Sequence, residues 1–239
     1  MRLAPYLYSI VHSHEMLWEL LQLRSERRTA EQDAARLRSR FSFLGSYPSL
    51  AGAARQRLSM SYAEYTSTVS PDPIVISLAL ATFLAVVCDQ LRPSSILDLG
   101  SGFSSYVFRA YAAGGHAAPA AVVVQSVDQS RPWLDKTRAF LDRQHVDSGG
   151  LSTWDDFVSR ARPTFDLILQ DFSTLDVRLE ILGMVVEACR PGGIIIIDDM
   201  HVPRYRRAVM RELDRRALSY FSLRAFTRHR LRYAYLVLR

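Results

Sequence analysis

The sequence predicts an α/β protein in which a doubly wound, mostly parallel sheet follows an N-terminal helical extension. Three observations predict it. Apolar runs of strand length at 95–99, 121–127, 165–170 and 193–198 alternate with segments of helical spacing at 104–113, 132–144 and 175–189. The runs are apolar throughout rather than at every second position, the pattern of parallel strands covered on both faces. Gly114-Gly115, Gly149-Gly150 and Pro191-Gly192-Gly193 punctuate the connections where helices end.

Taken in order, residues 1 to about 70 are helical in pattern. Leu17, Leu20 and Leu21 share a face, a charged stretch runs through Arg40, and Gly45, Pro48 and Gly52 interrupt. Two units follow: an extension at 1–70, serving as lid, substrate cover or homodimer contact, and a catalytic domain at 71–239. The apolar run 74–88, bordered by Asp72-Pro73 and Asp89, is a buried helix. At about 1.5 Å of rise per residue it cannot cross a roughly 30 Å bilayer core. The opening residues have no small-residue cleavage site after their short apolar stretch, so no secretory signal is expected. Cys88 and Cys189 lie among apolar residues, as reduced thiols of a cytoplasmic protein do. The last runs, 220–227 and 232–238, are too close for a crossover helix and should pair as an antiparallel hairpin.

Composition narrows the class. With 239 residues, 49% hydrophobic and 23% charged, the chain suits one large α/β domain or a domain with an appendage. It excludes collagen, disorder and a disulfide scaffold. Thirty basic against 24 acidic residues give a net charge of +6. Lys136 is the only lysine, and the arginines are spread along the chain. That ratio reflects base composition rather than phosphate recognition, so a nucleic-acid partner is not expected.

The chemistry concentrates in Ile96-Leu97-Asp98-Leu99-Gly100-Ser101-Gly102-Phe103-Ser104-Ser105, an apolar strand that runs through small residues into a helix. Glycines there admit a ligand to the backbone, and the new helix presents free N–H groups to it; a plain tight turn reads the same way. Asp128 ends the next strand. In a doubly wound sheet that puts a carboxylate beside the glycine turn, placed to take both hydroxyls of a ribose. The dinucleotide pattern G-x-G-x-x-G lacks its last glycine, and Asp98 before the turn would serve a pyrophosphate poorly but an α-amino group well.

At this point the sequence resembles the class I S-adenosylmethionine-dependent methyltransferases. Asp98-x-Gly100-x-Gly102 is similar to their first motif, Asp128 to their ribose-binding acid and 165–171 to their fourth motif. Arg190-Pro191-Gly192-Gly193 is similar to their turn before the fifth strand. The resemblance covers residues 71–239 and implies a Rossmann-like sheet of seven strands, the last antiparallel. It implies S-adenosyl-L-methionine held by Asp98, Gly100, Ser101, Gly102, Ser104, Asp128 and Asp171. Ser104 stands where many members carry a third glycine. For adenine it points to Trp154 and Asp155, which could equally belong to a helix N-terminus capped by Thr153 or Asp155.

Asp171 ends the fourth strand and Asp198-Asp199 end the fifth, with His201 just beyond. Ligands of open α/β sheets bind outside the carboxyl ends of strands, so these side chains should face the methyl donor. Three carboxylates together repel unless something positive joins them. The pattern resembles the metal-dependent catechol-type O-methyltransferases, which implies Mg2+ or Mn2+ held by Asp171, Asp198 and Asp199 to orient and acidify an acceptor hydroxyl. Without metal, His201 is the natural general base, beside Asp171 as catalytic residue.

The expectation is therefore methyl transfer to oxygen on a small molecule. Methylation of nitrogen or RNA is the second reading, although Asp171-Phe172-Ser173-Thr174 lacks the N/D-P-P-Y/F signature. A nicotinamide-dependent oxidoreductase is disfavoured by the missing glycine and the missing Tyr-x-x-x-Lys pair. A non-catalytic binding protein is the last alternative. The polar, aromatic segment 61–70 is either cover for the cofactor or a linker.

Overall fold

The computed structural model describes residues 28–71, 74–114, 122–160 and 163–239. The expected face of Leu17, Leu20 and Leu21, the Asp72-Pro73 border and the start of the 121–127 run lie outside them. Within them, α1 covers residues 28–40 and a 3-10 turn, Ser42–Ser46, leads into α2 (Tyr47–Thr68). The segment 61–70, read as cover or linker, is thus mostly helix. Next come α3 (Leu78–Leu91), β1 (Ser95–Leu99), α4 (Phe103–Ala113), β2 (Val123–Asp128) and α5 (Arg131–Arg143). Then follow β3 (Leu151–Thr153), α6 (Trp154–Val158), β4 (Phe165–Gln170), α7 (Leu175–Glu180) and α8 (Leu182–Ala188). The chain continues through β5 (Cys189–Ile197), α9 (Pro203–Arg215), β6 (Ser219–Ser222), α10 (Arg224–Thr227) and β7 (Tyr235–Leu238).

The seven strands form one sheet in the order β3-β2-β1-β4-β5-β7-β6. β1 pairs in parallel with both β2 and β4, so the winding reverses between β1 and β4. β7 enters antiparallel between β5 and β6, the expected terminal hairpin. The continuous apolar runs are explained by two cores, because successive residues of a strand point to opposite faces. Ile96, Leu167, Leu169, Ile194 and Ile196 join a core shared with α2, α3 and α4. Leu97, Leu99, Ile168, Ile195 and Ile197 join the other, under α8 and α9. Ala34, Leu37, Ala54, Leu58 and Tyr65 belong to the first core, so the described part of the N-terminal extension is packed into the same body as the sheet.

Several boundaries differ from the sequence expectation. The helix expected at 74–88 begins at Leu78, because the Ser77 hydroxyl accepts from the Leu80 N–H at 3.1 Å and caps it. It ends at Leu91, where Arg92 turns left-handed at φ 52°. The helix expected at 175–189 breaks at Ile181, beside the point where the Arg178 carbonyl accepts from Gln170 Nε2 at 2.9 Å. Cys189 opens β5 instead of closing that helix, and the run 220–227 is a short strand followed by a helical turn. Among the described residues no helix is long and apolar enough to cross a membrane.

Candidate functional site

The loops that leave β1, β2, β4 and β5 converge on a cavity of about 490 Å³ at the switch of winding. Gly100 and Ser101 form its wall after β1, Asp128 and Ser130 after β2. Asp171 and Ser173 line it after β4, Asp199 and His201 after β5.

The glycine turn is clamped between two strand ends. Gly100 N–H donates to Val127 O at 2.9 Å, and Asp171 N–H donates to Leu99 O at 2.8 Å. Gly100 sits at φ +99°, and a Cβ there would lie 2.3 Å from the Asp171 carbonyl oxygen. Glycine is required twice over, by conformation and by space. Ser104 closes the turn with a 3.4 Å bond from its hydroxyl to Gly100 O. Gly102 N–H donates to Ser105 Oγ at 3.1 Å, and a Cβ on Gly102 would meet the Tyr65 hydroxyl at 3.1 Å.

Asp98 lies beneath this turn, on the strand face of Ile96. It is 0% exposed. Its Oδ2 accepts from Ser105 Oγ at 2.5 Å, while Oδ1 has no hydrogen-bond partner among the described residues. Burial raises its pKa, opposed by the hydroxyls of Ser105, Ser104 and Ser126 and by the Arg109 guanidinium. The same Arg109 donates to Ser126 Oγ at 2.7 Å and to Gly149 O at 2.6 Å, tying β2 to the start of β3. Tyr65, also fully buried, has an unpartnered hydroxyl too, and burial carries its pKa well up, with Asp98 and Asp128 adding to the rise.

Asp128 faces the cavity. Its Oδ2 accepts from Ser101 N–H at 3.1 Å and Ser101 Oγ at 3.4 Å, and Oδ1 accepts from Ser130 N–H at 2.9 Å. Desolvation raises its pKa against those donors. Trp133, one turn into α5, donates its indole N–H to Ser101 O at 2.6 Å and lines the same wall.

Across the cavity three acids meet. Carboxylate oxygens of Asp171, Asp198 and Asp199 all lie within 4.8 Å of one another. Two arginines join them. Arg178 contacts Asp171 Oδ1 at 2.8 Å and Asp199 Oδ2 at 3.1 Å. It also donates to Phe172 O at 2.9 Å and Ser173 O at 3.3 Å. Arg232 lies 3.4 Å from Asp198 Oδ2 and 3.6 Å from Asp199 Oδ1, and donates to Val75 O at 2.9 Å. Ser173 and Asp199 both take left-handed backbone, at φ 52° and 59°. Burial lifts the Asp171 pKa well above the carboxylate range; Arg178 and Arg232 oppose it, Asp198 and Asp199 add to it. Asp198 is raised by burial and by Asp199. His201 Nδ1 stands 3.6 Å from Asp199 Oδ1.

No family model matches the chain, and no curated protein matches it in sequence. Solved structures do match. The O-methyltransferase TomG of Streptomyces achromogenes, involved in tomaymycin synthesis and in complex with SAM, is 15% identical over 77% of this chain and 87% of its own, with a TM-score of 0.52. An O-methyltransferase of Bacillus cereus, in complex with SAH, gives 15%, 77%, 89% and 0.55 for the same measures. The SAH-bound methyltransferase PaMTH1 of Podospora anserina gives 16%, 76%, 86% and 0.57. The fold is a methyltransferase fold.

In that methyltransferase fold the structure gathers most of the expected site residues. Gly100, Ser101, Asp128, Asp171, Asp199 and His201 share the cavity, and Asp198 stands behind Asp199, 2% exposed. Gly102 and Ser104 support the turn from behind. Asp98, expected beside the cofactor's amino group, is sealed away from the cavity because strand alternation sends it into the core under α2 and α4. Trp154 and Asp155 stand at the start of α6 instead of the cavity wall. Thr153 caps that helix, accepting from Asp156 N–H at 3.2 Å, while Trp154 packs 4.9 Å from Phe172 and Asp155 is exposed. Sequence reasoning missed Trp133, Arg178 and Arg232. Trp133 carried a signal, since Ser130-Arg131-Pro132 marks a helix start beside the Asp128 loop. The two arginines carried none among 29.

Proposed function

We propose that the protein is an S-adenosylmethionine-dependent methyltransferase acting on oxygen, a hydroxyl or a carboxyl, of a small molecule. One observation carries the reading: the glycine turn and Asp128 form one wall of a cavity whose other wall holds Asp171 and His201.

The residues present fit the cofactor. Asp128 is fixed by three donors yet keeps lone pairs for ribose hydroxyls, and Trp133 offers an aromatic surface in the same wall. Behind Gly102, Asp98 Oδ1 and the Tyr65 hydroxyl are buried polar atoms without partners among the described residues, but they lie in the core and not in the cavity, so the fit rests on the glycine turn, Asp128 and Trp133. When bound, the cofactor supplies an electrophilic methyl to the acceptor oxygen and leaves as the thioether. The chain does the rest. The turn excludes water from one side, and His201 takes the acceptor's proton. Asp199 Oδ1 stands 3.6 Å from its Nδ1. α2 packs behind the turn, Tyr65 and Tyr62 lying 5.6 and 5.0 Å from the Phe103 ring that opens α4. Two buried free thiols fit a reducing compartment, and we place the protein in the cytoplasm.

Calorimetry with S-adenosylhomocysteine and with NAD tests the reading. The thioether should bind, and Asp128→Ala should weaken it about 10- to 100-fold. Binding of NAD without the thioether would end the proposal. Labelled methyl transfer to hydroxyl and carboxyl acceptors, against transfer to RNA, then decides the acceptor class.

A further inference from the structure

We infer that Arg178 and Arg232 occupy the place of a divalent cation among Asp171, Asp198 and Asp199, so that the site works without metal on an acceptor that presents a single oxygen. The inference rests on the methyltransferase reading for its acceptor and on the arginines alone for its charge.

The three acids by themselves look like a hard-cation site, with mutually close oxygens at two adjacent strand ends. A bound Mg2+ or Mn2+ needs carboxylate lone pairs turned toward one point and room for the ion with its waters. Here each of the three carboxylates already faces a guanidinium. Arg178 takes Asp171 and Asp199, Arg232 takes Asp198 and Asp199, and the Asp199 N–H donates to Asp198 Oδ1 at 2.7 Å. The guanidiniums are anchored independently of the acids. Arg178 is buried and bonded to the carbonyls of Phe172 and Ser173, and Arg232 is bonded to the Val75 carbonyl. A guanidinium cannot yield by losing a proton, as a histidine or lysine can. Two fixed positive charges already stand among the three acids. A dication added to them would meet like charges at contact distance.

The acceptor follows from this. A metal would chelate two neighbouring oxygens and acidify one by coordination. Arginines hydrogen-bond and offer charge, but do not bond to oxygen as a metal does. Proton removal falls to His201, and a vicinal pair of oxygens confers no advantage. Phenols, alcohols or carboxylic acids with one reactive oxygen are the fitting class.

The test is a titration of the full chain with Mn2+, followed by electron paramagnetic resonance, with thioether calorimetry on the same samples. Wild type should show no saturable Mn2+ uptake below about 1 mM, and EDTA should leave thioether affinity unchanged. Arg232→Ala, which removes the guanidinium from Asp198 Oδ2 and Asp199 Oδ1, should gain Mn2+ affinity by about tenfold or more, and adding Asp199→Asn should abolish the gain. Arg232→Met serves the same purpose should the alanine variant fail to fold. Saturable uptake by wild type that Asp199→Asn removes would overturn the inference. So would a folded Arg232 variant no better at holding Mn2+ than wild type. Failure of the thioether to bind would count against the methyltransferase reading alone, since the Mn2+ titration needs no cofactor.

Discussion

Around the ends of β1 and β2 the cavity wall is mostly backbone and small side chains, held by hydrogen bonds between adjacent strand ends. Around β4 and β5 it is charged side chains, held by ion pairs that reach across the fold. Ser101 N–H meets an acid 27 positions away, whereas Arg232 meets Asp198 across 34 positions and Val75 across 157. The first wall is a shape and the second is a charge balance. A shape tolerates little change in volume, and a charge balance tolerates no missing partner.

Removing a partner should have the largest effect. Arg178→Met leaves Asp171 uncompensated in a buried place and should cost about 3–5 kcal/mol in urea unfolding; a loss below about 1 kcal/mol would show the pair to be solvated. Gly100→Ala comes next, because its Cβ would press on the Asp171 carbonyl from a left-handed backbone. About 3 kcal/mol is expected, together with weaker thioether binding, because this contact joins the two walls. A variant of ordinary stability would show that the loops move apart easily.

The third comparison is electrostatic and sits in the core behind the first wall. Asp98 has a raised pKa, chiefly from burial. The folded protein therefore holds this proton more tightly than the unfolded chain, and stability falls as pH rises above the ordinary value of 3.8. Asp98→Asn should flatten that decline and gain on wild type toward neutrality, as thermal melts between acid and neutral pH would show. The opposite sign would mean that Arg109 outweighs the burial. The smallest effect belongs to Tyr65→Phe. Its hydroxyl has no partner among the described residues, so stability should change by less than about 1 kcal/mol.

The same contrast explains what could be read from the sequence. The sheet was legible because β1, β2, β4 and β5 are largely apolar runs feeding two cores, whereas β3, only Leu-Ser-Thr, left no such run, and the glycine turn because Gly100 is required where it stands. Asp128, Asp171 and Asp199 were legible because strand ends in this topology must point at the switch of winding. The fate of Asp98 was not, because only the three-dimensional alternation of β1 decides between cavity and core. Trp154 was misplaced because an aromatic residue at a helix start looks the same whether it faces a ligand or Phe172. Arg178 and Arg232 were invisible for a different reason. One charge among 29 arginines declares no partner until the chain closes over it.

That closing has a timetable. Ribosomes deliver the chain from its N-terminus at about 5–20 residues per second, so Asp171, Asp198 and Asp199 emerge well before Arg232. Until β7 threads between β5 and β6, the nascent protein carries its acids with only one of their two counter-charges. The insertion of β7 therefore completes the charge balance of the pocket as well as the sheet.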